Sequence, residues 1–112
     1  SGTYADNDSV AVSCTGTGDI YMRVNAAHEV SALYKYKTSD VQKAAEEAVK
    51  EVKALGGSGG IISIDKHGHT GFAWTKEPGV FMGFGRKDKL GMYHGEARLG
   101  AKPIVYWPLG EK

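Results

Sequence analysis

The stretch "SDVQKAAEEAVKEVKALGGSGGIISID", residues 39–65, decides the fold because its hydrophobic period changes partway along. In its first half, apolar residues recur every three or four positions with Lys and Glu between them, which is typical of an amphipathic helix. Ser39 with Gln42 matches a capping box at the start, and Gly56 suits the left-handed end of the helix. From Ile61 onward the apolar residues alternate, as in a half-buried strand. The stretch therefore predicts a helix that leads into a strand.

The segments on either side of this stretch complete an α+β pattern. The alternation from Val10 to Cys14 predicts a strand, and the apolar spacing from Gly18 to Tyr34 predicts an earlier helix. After residue 65, the turn "KHGH" and the short apolar segments "TGFAWT", "VFMGFG" and "LGMYH" predict an antiparallel meander. Strand, helix, helix and meander in this order indicate a layered α+β fold, with the helices on one face of a sheet.

Length and composition predict a single domain or domain fragment spanning residues 1–112. A chain of 112 residues with 41% hydrophobic residues can bury one modest core. The prolines and glycines from Gly95 onward predict a loose or docked tail over residues 95–112.

Charge and cysteine content exclude several classes of partner. The formal net charge is +1 and the chain has no basic stripe, so we expect neither a nucleic-acid partner nor an anionic membrane surface. No apolar run approaches the roughly 20 residues that span a bilayer, which predicts a soluble protein. The lone Cys14 rules out a disulfide within the chain and fits a reducing compartment, so we predict a cytoplasmic location.

The turn Thr15-Gly16-Thr17-Gly18, between the first predicted strand and helix, is the main candidate site. Unpaired N–H groups at a helix start and threonine hydroxyls can stabilise an anion or a developing oxyanion. The alternative interpretation is an ordinary turn in which Thr17 caps the helix. A dinucleotide fingerprint does not fit, because the sixth position counted from Gly16 is Tyr21, where that fingerprint requires a small residue.

Two other groups of residues are weaker candidates. Asp65, His67 and His69 alternate across a turn and could share a metal ion, but a third convincing ligand is lacking. We therefore interpret the two histidines as solvated turn residues and predict no metal site. Cys14 could act as a nucleophile near a helix start, but a packing role is commoner for a buried cysteine and no base can be named.

Two glycine-rich motifs, far apart and in a fixed order, resemble a known family. "GTYADNDSVAVSCTGTGD", residues 2–19, and "ALGGSGGIISID", residues 54–65, resemble the C-terminal part of the small (beta) subunit of plant-type L-asparaginases, also called isoaspartyl peptidases. These proteins are N-terminal nucleophile (Ntn) hydrolases. The resemblance runs from Gly2 to about Thr75 and implies that the chain supplies part of a four-layer αββα sandwich.

The same resemblance implies a catalytic role for the turn. In that family a precursor cleaves itself and frees a Thr, which attacks the side-chain amide of asparagine or a β-aspartyl peptide. The resemblance implies that Thr15, through its hydroxyl, and Gly16, through its backbone N–H, form the oxyanion hole. Gly16 and Gly18 would contact the substrate.

The family's other catalytic parts do not match any residue of this chain. The resemblance places the nucleophilic Thr and the segment that grips the substrate upstream, on a complementary partner chain in a hetero-oligomer. It implies no cofactor. We therefore expect the chain to be inactive alone and active as an asparaginase when completed by its partner.

Two other functions stay open at this point. A non-catalytic fragment or structural module would keep the sandwich packing without the chemistry. A small anion-binding domain would use the same turn for phosphate, and stabilisation by nucleotides but not by aspartate would favour it.

Overall fold

The computed structural model describes residues 2–77, 80–87, 93–99 and 102–109. Contacts divide the chain into two units, Ser1–Thr75 and Lys76–Lys112. The expectation of a single domain or domain fragment over residues 1–112 stays a prediction.

The first unit combines helices with an antiparallel sheet, as the sequence predicted. Its sheet has the strand order β1-β2-β3-β4, and every neighbouring pair is antiparallel. Three helices and one π-helical turn lie between β2 and β3 in the sequence. The elements in chain order are β1 (Thr3–Ala5), β2 (Val10–Gly16), α1 (Gly18–Val24), α2 (Ala26–Leu33), the π-helical turn (Tyr34–Thr38), α3 (Val41–Ala54), β3 (Gly59–Asp65) and β4 (Thr70–Trp74).

The second unit is a separate antiparallel sheet of three strands in the order β5-β6-β7. These strands are β5 (Phe81–Lys87), β6 (Tyr93–Leu99) and β7 (Lys102–Leu109). One expectation therefore needs correction, because the predicted meander is divided between two sheets. The segment 95–112, for which the sequence predicts a loose or docked tail, contains most of β6 and all of β7. The first residues of "LGMYH", positions 90–92, lie outside the described residues.

The earlier helix differs from its prediction at one residue. Asn25 takes the left-handed conformation, with φ 54° and ψ 49°, and splits the predicted helix into α1 and α2. Its N–H donates to the carbonyl oxygen of Met22 at 3.0 Å, which closes the end of α1. Asparagine tolerates this conformation better than most residues with a side chain, so it can end one helix and start the next.

Helix α3 confirms the clearest sequence pattern, but its cap lies one residue later than predicted. Asp40 is the N-cap, and its Oδ1 accepts hydrogen bonds from the N–H groups of Gln42 at 3.0 Å and Lys43 at 3.2 Å. Ser39 instead takes a left-handed conformation, with φ 56°, and ends the π-helical turn. Because Ser39 is used in that way, the capping role falls to the neighbouring carboxylate.

The C-terminal end of α3 has the hydrogen bonds of a Schellman motif, as its glycines suggested. Gly56 has φ 85° and donates to the carbonyl oxygen of Lys53 at 2.9 Å, and Gly57 donates to that of Val52 at 3.0 Å. The motif turns the chain sharply back toward the sheet, so β3 starts against the end of β2.

The two faces of the four-stranded sheet differ in what covers them. The inner face packs against the helices and contributes Val10, Val12, Ile61 and Ala73 to the hydrophobic core. On the opposite face, which we call the outer face, Ile62 is 48% exposed and Ile64 is 45% exposed. The strand register sets further residues beside these two isoleucines on the outer face: Thr3, Ala5, Ala11, Ser13, Thr70 and Phe72.

Candidate functional site

The ends of β2 and β3 meet at two glycines that we call the glycine pair, Gly16 and Gly59. They are opposite each other in the strand register and have φ values of 133° and 145°. A Cβ added to Gly16 would lie 2.6 Å from the Cα of Gly59, and one added to Gly59 would lie 2.7 Å from the Cα of Gly16. No other residue fits either position, because both the φ angles and the close backbones exclude a side chain.

The backbone N–H of Gly16 points away from β3. Thr17 donates its N–H to the carbonyl oxygen of Ser58 at 2.8 Å, so the N–H of the residue before it faces the other way. On that side, Cys14 donates to Gly2 at 3.0 Å, and β1 begins only at Thr3. The Gly16 N–H therefore faces the edge of β2 beyond the start of β1 and takes no part in the β2–β3 ladder.

Thr15, the neighbour of Gly16, presents its side chain on the outer face. It alternates with Ala11 and Ser13 along β2 and is exposed like them. Within the described part of the chain, its hydroxyl makes no hydrogen bond. The end of β2 thus offers a hydroxyl and a backbone N–H on consecutive residues, which are the two kinds of donor that stabilise an oxyanion in acyl transfer.

Thr17 occupies the N-cap position of α1, but its side chain makes no hydrogen bond to the backbone of that helix. Its Oγ1 accepts a hydrogen bond from the N–H of Ser58 at 3.1 Å and donates to the carbonyl oxygen of Ser58 at 3.3 Å. Because both roles of the hydroxyl are taken, it is not a spare donor for an anion. Gly18, the third predicted site residue, is the half-buried first residue of α1.

Thr75 is a further residue at this site that the sequence analysis missed. It is 3% exposed and follows β4 directly. Its N–H donates to the carbonyl oxygen of Gly59 at 3.0 Å, and its Oγ1 accepts from the N–H of Gly59 at 3.3 Å. No local pattern distinguishes Thr75 from any other residue at the end of a strand, so its role becomes visible only from the sheet pairing.

Cys14 is placed for packing rather than for nucleophilic attack. Its side chain is half-buried and packs against the hydrophobic core. This burial raises the pKa of the thiol to about 11. A thiol with so high a pKa is almost entirely protonated at neutral pH, whereas nucleophilic attack needs the thiolate.

The carboxylate of Asp65 holds the turn between β3 and β4 together. Its Oδ1 accepts from the N–H groups of His67 and His69, both at 2.9 Å, and its Oδ2 lies 3.0 Å from Nδ1 of His69. The hydroxyl of Tyr34 donates to Oδ2 at 3.3 Å. Burial alone would raise the pKa of Asp65, but the hydrogen bonds from His69 and His67 outweigh it and hold this pKa below its usual value.

These contacts account for the three residues that the sequence raised as metal ligands. Over the described ranges, no group of three or more His, Cys, Asp or Glu residues is arranged to hold a metal ion. Among the same residues, no helix is both long and apolar enough to cross a membrane.

Comparison with known proteins connects this geometry to one family. The asparaginase family model matches residues 1–94. The isoaspartyl peptidases of Salmonella typhimurium and Escherichia coli are 44% and 45% identical to the chain over 85 residues, which are 75% of this chain and 27% and 26% of those proteins. The isoaspartyl peptidase/L-asparaginase of Bos taurus is 37% identical over 76 residues, 67% of this chain and 24% of that protein.

The chain spans about a quarter of the length of these curated relatives. The family model nevertheless covers most of the chain, including the glycine pair, Thr17 and Thr75. Because the family model matches residues 1–94, the chain belongs to the asparaginase family.

Proposed function

We propose that this chain contributes the oxyanion hole to an amidohydrolase that cleaves the side-chain amide of L-asparagine and β-aspartyl (isoaspartyl) peptides. The observation that carries the proposal is the pair of available donors at the end of β2, the exposed hydroxyl of Thr15 and the outward N–H of Gly16. The names of the relatives, isoaspartyl peptidase and L-asparaginase, supply the reaction.

In the proposed mechanism, a threonine hydroxyl attacks the amide carbon and the carbonyl oxygen becomes an oxyanion. Thr15 and Gly16 donate hydrogen bonds to that oxyanion, and Gly18 lies in the pocket wall. Collapse of the intermediate expels ammonia or the amine of the peptide, and water then cleaves the acyl ester. One donor of this kind is worth about 3 to 4 kcal/mol of barrier.

The nucleophile belongs to a complementary chain in this proposal. That chain begins with a Thr freed by autoproteolysis and supplies the remaining layers of an αββα sandwich. The proposal is consistent with the chain spanning about a quarter of the length of its relatives. It implies a hetero-oligomer that needs no cofactor, and a chain that is inactive alone.

The outer face supports the sandwich part of the proposal. An antiparallel sheet with helices on one face commonly presents polar residues on the other, but here Ile62, Ile64 and Phe72 lie on that face. A second sheet packed about 10 Å away would cover them. Because Thr15 lies on the same face, such a sheet would also bring its own residues beside the oxyanion hole.

The test is ammonia release from L-asparagine by the chain assembled with its complementary chain. Thr15→Ala should lower kcat about a hundredfold or more. Thr15→Ser keeps the hydroxyl and should retain most of the activity. Thr38→Val, in the π-helical turn, is the matched control and should behave like the unmodified assembly.

Two results would contradict the proposal. If activity survives replacement of the N-terminal Thr of the complementary chain, that Thr is not the nucleophile. An assembly that releases no ammonia under any condition would favour the non-catalytic structural module instead. The alternative function, phosphate binding by the same turn, would use the hydroxyls of both Thr15 and Thr17. The Thr17 hydroxyl is not available for it, because it is bound to Ser58.

A further inference from the structure

We infer that Thr17 and Thr75 are positioning residues for the oxyanion hole, because their hydroxyls fix the Ser58-Gly59 segment that holds Gly16 in place. The inference rests on the proposed function. Neither threonine would touch substrate, so each acts through the backbone of the glycine pair.

Both threonines replace a backbone acceptor with a side-chain hydroxyl. In a regular antiparallel pair, two opposite residues exchange two N–H···O=C hydrogen bonds. Thr17 donates its N–H to Ser58 in the regular way, but the N–H of Ser58 binds the Thr17 hydroxyl. In the same manner Thr75 donates its N–H to Gly59, and the N–H of Gly59 binds the Thr75 hydroxyl.

Because the Thr17 hydroxyl takes the place of a backbone acceptor, this residue can pair with the segment before β3 and start α1 at the same time. Its carbonyl oxygen accepts from the N–H groups of Ile20 and Tyr21, both at 3.1 Å, and so begins α1. Its hydroxyl continues the pairing with β3. A residue without a hydroxyl could start the helix but would leave the N–H of Ser58 without this acceptor.

The two threonines hold neighbouring residues from opposite sides. Thr17 binds Ser58 from the β2 side and Thr75 binds Gly59 from the β4 side, so the segment between them is fixed by five hydrogen bonds. The backbone of Gly59 in turn abuts that of Gly16, with no room for a Cβ on either residue. A shift of Ser58-Gly59 therefore moves Gly16 and its outward N–H.

Oxyanion stabilisation is sensitive to displacements of this kind. A donor must lie about 2.7 to 3.1 Å from the developing charge. A misplacement of about 1 Å can cost about a hundredfold in rate. Loss of one threonine hydroxyl should lower kcat with little change in KM, because the oxyanion forms only after substrate has bound.

The experiment compares Thr17→Val and Thr75→Val with Thr17→Ser and Thr75→Ser in the complete assembly. Valine keeps the shape and removes the hydroxyl, whereas serine keeps the hydroxyl. We expect each valine variant to lose about tenfold or more in kcat with KM within about twofold, and each serine variant to recover most of that loss. Thr38→Val again serves as the control. The folded fraction is measured by circular dichroism at the assay temperature, so that kcat refers to folded protein.

Amide hydrogen exchange on the chain provides a readout that does not depend on activity. Thr17→Val should speed exchange at Ser58, and Thr75→Val should speed it at Gly59, because each N–H loses its acceptor. Unchanged exchange at both positions would overturn the inference even if kcat fell.

The outcomes separate the inference from the proposed function. An unmodified assembly that releases no ammonia refutes the proposed function and the inference with it. An active assembly whose valine variants keep their kcat, or lose it only in proportion to the unfolded fraction, refutes the positioning role and leaves the function standing. Failure of serine to restore activity also refutes the positioning role.

Discussion

The side-chain amide of Gln42 hydrogen bonds to both backbone groups of Phe72. Its Nε2 donates to the carbonyl oxygen and its Oε1 accepts from the N–H, each at 2.9 Å. Phe72 lies in β4, which is at the edge of the four-stranded sheet. Gln42 therefore occupies the position of a further strand at that edge, where free backbone groups would otherwise recruit another chain.

Replacing Gln42 should destabilise the fold more than replacing its neighbour. Gln42→Ala removes both hydrogen bonds to β4 and should lower the free energy of unfolding by about 1 to 3 kcal/mol. Lys43→Ala, on the same helix and exposed, should change it by less than about 0.5 kcal/mol. Urea unfolding of the chain measures both. Equal effects of the two substitutions would show that the contact with Phe72 adds no stability.

The two left-handed glycines Gly59 and Gly68 should respond very differently to alanine. A Cβ on Gly59 would overlap the carbonyl oxygen of Thr15, whereas a Cβ on Gly68 would meet nothing within 4 Å. Gly68→Ala should therefore cost only the backbone conformation, about 1 to 2 kcal/mol. Gly59→Ala should cost more than about 4 kcal/mol or prevent folding. Thermal unfolding followed by circular dichroism distinguishes the two, and similar melting temperatures would contradict the close approach.

Removing a hydroxyl should have opposite effects at Tyr21 and Tyr34. The Tyr21 side chain is 1% exposed, and its hydroxyl has no hydrogen-bond partner among the residues that the structure describes. Burial, with a smaller contribution from Cys14, raises the pKa of Tyr21 to about 12. Tyr21→Phe should leave stability unchanged or raise it by about 1 kcal/mol, because a buried polar group without a partner is costly.

Tyr34→Phe provides the matched comparison. It removes the hydroxyl that donates to Asp65 and should lower the free energy of unfolding by about 1 kcal/mol or more. Denaturant titrations of the two variants give the sign of each change. A loss of stability in Tyr21→Phe larger than that in Tyr34→Phe would indicate that the Tyr21 hydroxyl has a partner in solution.

Asp65 should make the fold sensitive to acid. Its pKa is lower in the folded chain than the usual value of about 3.9 for an unfolded aspartate, since hydrogen bonds from His69 and His67 outweigh the effect of burial. A group whose pKa is depressed on folding contributes stability above the unfolded pKa. This contribution is lost as the pH falls through the folded pKa. Stability should therefore fall below about pH 4.

Asp65→Asn tests the origin of that loss. The variant should be less stable than the parent chain at pH 7, and its stability should fall less steeply below about pH 4. Urea unfolding across a series of pH values measures the slope. Asp8→Asn removes an exposed carboxylate and controls for the change in charge. An acid slope that is the same in Asp65→Asn and in the parent chain would assign the effect to other groups.

Features that depend on local pattern were predictable from the sequence. Helix α3, the left-handed Gly56 just after it and the strand "IISID" follow from hydrophobic period and from the preference of glycine for a positive φ. The cap at Asp40 was not predictable from the sequence. Ser39 and Asp40 can both cap a helix, and the choice between them depends on the π-helical turn before them. The break at Asn25 interrupts an apolar spacing that continues across it, so the period carries no trace of it.

In the candidate site, too, the residues of a local pattern were predictable, and the contacts between distant segments were not. Thr15, Gly16 and Gly18 were identified from one turn and a family resemblance, without knowledge of what lies opposite them. Thr75 and the hydroxyl bonds of Thr17 depend on strand pairing between distant segments, which single-residue patterns do not encode. For residues 95–99 of β6 and for β7, the sequence predicted a tail because prolines and glycines outweighed a weak alternation.

The hydroxyl contact between Thr17 and Ser58 joins residues that are 41 positions apart in the chain. All three helices lie between them, so this contact closes a loop that contains α1, α2 and α3. Contacts of such long sequence separation carry a large entropic cost and form slowly. The geometry around the glycine pair is consequently a product of packing across the whole first unit, and a short peptide that contains only the turn at residues 15–18 should not reproduce it.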